Sequence, residues 1–208
     1  ELLKFFFSSV VKLISTILHP LIVPTYGLVL LMNINTHSIL AIPDNFRLSI
    51  IGFVFLTTFI LPSLLIAILV KVGIVSNFQI SVQRERVFPI LIVAIAFYIT
   101  YYLLKSAGLT GLIPLFMVGS TMLVLMALLI NYATKISLHM IAWGGLIGCL
   151  IGFAIRFNYD LSLLIMATII ISGFVAAARL KLNAHNPFQV YIGFLLGVAG
   201  MLGLFFIV

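Results

Sequence analysis

The chain has 208 residues, 64% of them hydrophobic and 7% charged, and its mean hydropathy is +1.37. Soluble globular domains carry about 25% charged residues, so this composition excludes one and describes a chain built for lipid. The net charge of +7, from 11 Lys+Arg against 4 Asp+Glu, fits loops that face anionic lipid and gives no reason to expect a nucleic-acid partner.

Several apolar runs reach the roughly 20 residues with which a helix crosses about 30 Å of hydrocarbon, and none alternates like a barrel strand. The expected fold is therefore all-α. A polytopic transmembrane helical bundle of six to seven spans, with an N-terminal interfacial helix, should form one integral-membrane domain over residues 1–208. Cys149, the single cysteine, lies in an apolar run and leaves no disulfide within the chain. Lys4 and Lys12 flank apolar residues without a small-residue cleavage site, so no cleavable signal peptide is expected.

Residues 1–18 place Lys4, Ser8, Lys12 and Ser15 on one helical face, which suits a helix lying in the interface with its lysines toward headgroups. His19-Pro20 then breaks the path, His19 reads as a helix-terminus residue, and apolar sequence continues to Met32 as a first span or a re-entrant segment. A loop with a solvated His37 follows, ending in the turn Pro43-Asp44-Asn45. Further spans are expected at about 48–70, with a kink at Pro62, and at about 87–104, 112–132, 139–157, 161–178 and 188–208. Tyr98, Tyr101 and Tyr102 suit an interfacial belt. Gly144, Gly148 and Gly152, and again Gly193 and Gly197, recur every four residues, the spacing of close helix packing.

Counting spans puts the loops 71–86, 132–138 and 179–187 on one membrane face. That face gathers Arg84, Glu85, Arg86, Ser137, His139, Arg179, His185 and Gln189. Imidazoles and guanidiniums with one carboxylate describe an anion site, and the Arg fork suits phosphate oxygens. With Glu85 the lone acid, no metal is expected.

The segment Arg179-x5-His185-x3-Gln189, followed by Val-Tyr-Ile-Gly-Phe-Leu-Leu-Gly, resembles the third signature of the type 2 phosphatidic acid phosphatase superfamily, Ser-Arg-x5-His-x3-Asp before a Gly-containing helix. Lys135-Ile136-Ser137-Leu138-His139 resembles the family's Pro-Ser-Gly-His at Ser137 and His139, with Ile136 and Leu138 in place of Pro and Gly. The first signature, Lys-x6-Arg-Pro, is matched only at Pro89: Phe88 and Ser81 stand where its Arg and Lys belong, and Arg84 and Arg86 offer the charge from a shifted register. The resemblance covers about residues 80–200. It implies metal-independent phosphoryl transfer without a cofactor: His185 attacks phosphorus, His139 protonates the leaving lipid oxygen, and Arg179, Arg84, Arg86 and Ser137 hold the phosphoryl oxygens. Gln189 replaces the Asp that orients the nucleophilic His, so its amide oxygen can fix the tautomer without adding charge.

The leading expectation is a membrane lipid phosphatase acting on a lipid phosphomonoester or diphosphate, whose tail enters sideways from the lipid. The alternative is a phosphatase-like protein without turnover that binds lipid or serves as a structural subunit among other membrane proteins. A transporter is the third reading, weakened by the lack of an inverted repeat. The expected location is a membrane of the bacterial plasma-membrane type. Most basic residues fall on the site's face, which the positive-inside rule would put in the cytoplasm, whereas bacterial members of the superfamily commonly face outward, so sidedness stays open.

Overall fold

The structure is a computed structural model that describes residues 2–34, 37–40, 42–80 and 82–207, with the side chains of 2–8 and of 37–38 outside the description. The lysine face expected at Lys4 and Ser8, the solvated His37 side chain and the position of Ser81 therefore lie outside the described residues. The fold is an all-α polytopic helical bundle, with six helices among the described residues long and apolar enough to cross a membrane. The chain divides into two compact units, Leu21–Ala133 and Glu1–Pro20 together with Thr134–Val208.

In the first unit, α2 (Val23–Met32) has 10 residues. At a 1.5 Å rise it spans about 15 Å, half of the hydrocarbon, so the first apolar segment is a short helix and the candidate spans among the described residues number six. After the single turn α3 (His37–Leu40), α4 (Asp44–Phe55) runs through a π-helical stretch at Leu56–Ile60 into α5 (Leu61–Lys71). Pro62 sits at the start of α5. It cannot donate to the carbonyl four residues back, and the widened turn before it lets the helix run on through the position at which a kink was expected. Thr57 and Thr58 return their hydroxyls to the carbonyls of Phe53 and Val54 at 2.9 and 2.8 Å, so neither exposes a bare donor to lipid. α6 (Val87–Ser106) and α7 (Leu112–Asn131) form a hairpin, turned at Gly108 and Gly111 with φ of 85° and 76°. The core of this unit gathers Leu28, Met32, Val54, Phe97, Leu104, Ile113 and Met117.

The second unit holds α1 (Leu2–Ile17), α8 (Leu138–Phe157), α9 (Ser162–Lys181) and α10 (Pro187–Ile207). Its tightest pair is α8 with α10, joined along the glycines that recur every four residues. A methyl on Gly148 would come within 2.5 Å of the Val198 carbonyl oxygen, and one on Gly152 within 2.6 Å of the Phe205 ring. Gly144 faces the backbone of Phe194, and Gly197 faces Ile141 and Gly145. Without a water-driven hydrophobic force between helices in lipid, such backbone approach supplies the van der Waals contact that holds them. α9 ends in a Schellman motif, in which Ala184 N–H reaches the Arg179 carbonyl at 3.2 Å and Asn183 N–H that of Leu180 at 3.0 Å. Asn183 takes the left-handed φ of 50° that this cap requires.

α1 packs against α9. Its Lys12 is exposed, as the interfacial reading expects, but Ser15 is buried. The face drawn as uniformly lipid-headgroup-facing thus turns inward at its last polar residue, because that hydroxyl has a cationic partner on α9.

Replacing Gly148 or Gly197 by Leu should force α8 and α10 apart, since the obstructing atoms are backbone. We expect a loss of about 2–3 kcal/mol or more, read as a lower unfolding midpoint in detergent. Gly203, with nothing near its absent Cβ, should accept Ala without such a loss.

Candidate functional site

The α8–α10 seam sets the beginnings of these two helices side by side. Ser137 N–H reaches the Gln189 backbone carbonyl at 3.4 Å, and a Cβ on Gly193 would lie 3.0 Å from the Ser137 carbonyl oxygen. α10 opens with a capping box. Asn186 Oδ1 accepts the Gln189 N–H at 2.9 Å, Gln189 Oε1 accepts the Asn186 N–H at 3.3 Å, and Pro187 occupies the first helical position, where no donor is needed.

The same Oε1 lies 3.1 Å from His185 Nδ1. Because a backbone N–H already donates to this oxygen, the amide orientation is fixed and the imidazole must donate from Nδ1. The lone pair of His185 is therefore on Nε2. His185 is buried, as are Ser137 and His139.

His139, in the first turn of α8, places Nε2 3.1 Å from the carbonyl oxygen of Ser15. A carbonyl only accepts, so this imidazole carries its proton on Nε2 and its lone pair on Nδ1. Arg179, in the last turn of α9, donates from one terminal nitrogen to Ser15 Oγ at 2.8 Å. Trp143 Nε1 donates to the Leu18 carbonyl at 3.2 Å. Pro20 explains why these oxygens are available. Helix α1 stops at Ile17 because the residue before a proline resists the helical conformation, which leaves the last carbonyls without partners inside the helix. The His19 ring, half-buried, stands edge-on to His139 with centroids 5.3 Å apart. Burial, and then the charge of Arg179, push the His19 imidazole down from the usual 6.5 to about 4.

Two buried polar atoms of this cluster have no partner, Arg179 Nε and Ser137 Oγ. Ser137 is the residue before α8, a position where serine usually caps, yet its hydroxyl makes no capping bond. Nor does a carboxylate among the described residues of this unit neutralise Arg179. Among the described residues of this unit the one acid is Asp160, in the turn before α9, about 28 Å away along that helix at 1.5 Å per residue. Among the described residues no group of three or more His, Cys, Asp or Glu is placed to hold a metal ion.

The structure thus brings together His139 and Arg179 through Ser15, and His185 and Ser137 through Gln189. Arg84 and Arg86 belong to the other unit. There Arg84 is exposed, while Arg86 is buried and donates from Nε to the Ile80 carbonyl at 3.2 Å. Ile80 holds a left-handed φ of 45°, costly for a β-branched residue, to turn that carbonyl inward. Glu85 accepts from Ser76 N–H and Oγ, both at 2.8 Å. Gln83 and Asn131 exchange side-chain and backbone bonds at 2.6 and 3.0 Å. Ser15, His19 and Trp143 were not expected at a site. The available signal was Ser15 four residues before a His-Pro helix stop.

No family model matches the chain, and neither a curated protein nor a solved structure does.

The depressed His19 has a pH signature. The folded chain binds this proton less readily than the unfolded chain, so stability is flat above about pH 6.5 and declines as pH falls from there toward 4. The unfolding midpoint in detergent should drop between pH 7 and 4.5, and His19→Gln should remove part of that slope; an unchanged slope would place His19 in water.

Proposed function

We propose that the chain is a metal-independent phosphohydrolase of the membrane, acting on a lipid phosphomonoester or diphosphate. The observation that carries this reading is the bond from His185 Nδ1–H to Gln189 Oε1 at 3.1 Å, which puts the imidazole lone pair on Nε2 in the cluster that also holds Arg179, a guanidinium with no carboxylate partner among the described residues of its unit. The nucleophile His185 attacks phosphorus through Nε2, and the bond from phosphorus to the lipid oxygen breaks. His139 gives that oxygen a proton from Nδ1, having first been protonated there, while its Nε2–H stays on the Ser15 carbonyl. Water, losing its proton back to His139, then attacks the phosphohistidine and releases phosphate and free His185.

Arg179 Nε and Ser137 Oγ are donors awaiting acceptors, and phosphoryl oxygens supply them in greater number as charge spreads in the transition state. A buried unsatisfied donor costs about 1–3 kcal/mol, more for a charged group, so an anion that meets both removes that penalty. A lipid phosphate brings its headgroup to the membrane face where these helix ends lie and leaves its tail in the hydrocarbon. The membrane we assign is of the bacterial plasma-membrane type.

A second reading has its own observation. Arg179 and His139 already donate to Ser15, so the cluster can also serve as a clamp on α1 in a lipid-binding or structural subunit without turnover, held among other membrane proteins.

Phosphate release from a panel of lipid phosphates, by purified protein in detergent with chelator, separates the two. We expect turnover that His185→Ala lowers at least about 10³-fold. Gln189→Leu, which frees the tautomer, should lower kcat about tenfold or more with little change in KM. No turnover on any lipid phosphate by folded protein would leave the structural reading.

A further inference from the structure

The turn after α1 lies outside every segment that resembles the phosphatase signatures, yet three donors from two helices converge on it. Arg179 holds the Ser15 hydroxyl at 2.8 Å, His139 the Ser15 carbonyl at 3.1 Å, and Trp143 the Leu18 carbonyl at 3.2 Å. These bonds fix the position of His19, whose ring centroid stands 5.3 Å from that of His139. We propose that this turn is a working part of the anion site, with His19 as a further anion-binding residue and Ser15 as the residue that aims Arg179. The inference rests on the anion site proposed above.

Charge is the reason. The groups that face His19 are His139 from α8 and Arg179 from α9, and His185, before α10, acts on His139 in turn. A guanidinium and three imidazoles converge there with no carboxylate of this unit within reach among the described residues. Without a ligand, burial first and the guanidinium second keep His19 neutral, because a second positive charge in a half-buried place is unfavourable. An arriving phosphate reverses the sign of the local field. His19 then gains a proton from bulk water and donates a charge-assisted hydrogen bond to a phosphoryl oxygen. Anion binding and proton uptake are linked, and each strengthens the other by the same factor.

The hydroxyl of Ser15 contributes differently. Its oxygen accepts from Arg179 at 2.8 Å and lies 3.5 Å from His139 Nε2, so it ties the guanidinium to the turn that carries His19. Thr keeps this geometry and Ala does not.

The experiment is calorimetric titration of the purified full chain in detergent with a short-chain phosphatidic acid, in two buffers of different ionisation heat. At about pH 6 the wild type should take up about one more proton per ligand bound than His19→Gln and should bind about tenfold tighter, with the difference shrinking toward pH 8. Ser15→Ala should weaken binding and Ser15→Thr should restore it. As a check that needs no variant to fold, the His19 imidazole resonance of histidine-labelled wild type should move from the neutral to the cationic position when ligand is added at about pH 6. Equal proton uptake and affinity in His19→Gln, or a His19 resonance that stays neutral in the complex, overturns the proposal and leaves the phosphohydrolase reading standing. Tighter binding by Ser15→Ala would also overturn it, because the turn would then be a competitor of the anion. No binding by the folded wild type overturns both this proposal and the anion site beneath it.

Discussion

Close contact between two backbones governs the second unit. Gly144, Gly148 and Gly197 let α8 and α10 meet where any Cβ would strike main-chain atoms. Because both helices begin at the same end of this seam, Ser137 and His139 on one and His185 and Gln189 on the other are neighbours by construction. A slide of one helical residue along the seam would carry the first turn of α10 about 1.5 Å past that of α8. Ser137 N–H would then lose the Gln189 carbonyl. Packing by small residues is thus more than a stability device here, since it sets the register of the polar cluster.

Electrostatic imbalance is the other constraint. A guanidinium near hydrocarbon normally finds a carboxylate or climbs to the water. Arg179 lies in the last turn of its helix, where the negative end of the helix dipole favours a cation. The exposed Lys181 two residues on reaches water; Arg179 instead turns inward to a serine hydroxyl, a weak partner for a charge. The end of α1 supplies the remaining compensation through carbonyl oxygens, and the partial negative charge of a helix C-terminus points at His139 and Trp143. Partial charges of this kind are smaller than those of a phosphate, which is why an anion is proposed for this cluster.

Much of the fold was legible because lipid leaves the backbone few options. Length and hydropathy located the spans, and the four-residue glycine spacing marked the packing faces of α8 and α10 without saying that they pack on each other. The first apolar segment was ambiguous for a physical reason: hydropathy records Val23–Met32 as membrane-like, whereas only length distinguishes a 10-residue helix from a span. Within the proposed site, the resemblance allowed Gln189 to accept from His185, and the two are in fact joined at 3.1 Å. The same four residues also contain a capping box, Asn186-Pro187-Phe188-Gln189, which gives Gln189 a structural duty beside the one expected of it. A glutamine can accept from both the helix start and the imidazole, which explains how an amide is tolerated there. Ser15 and His19 were invisible as partners of α8 and α9, since their approach spans more than 120 residues of sequence and no local pattern encodes such a contact.

Whether the last turn of α1 is part of the site or a plug in it turns on what an anion would replace. If phosphate had to expel the turn, it would forfeit the bonds from Arg179, His139 and Trp143 and re-expose carbonyls at the end of α1. Each such bond contributes about 0.5–1.5 kcal/mol, more where the donor is charged, so three of them make a tight ligand's gain small. The unsatisfied atoms point the other way. Arg179 Nε and Ser137 Oγ are buried and unpartnered with the turn in place. An anion that takes those two donors, and leaves the bonds to Ser15 and Leu18 intact, gains contacts without losing any. On that argument the turn and the proposed anion would coexist, with α1 as a wall of the proposed site.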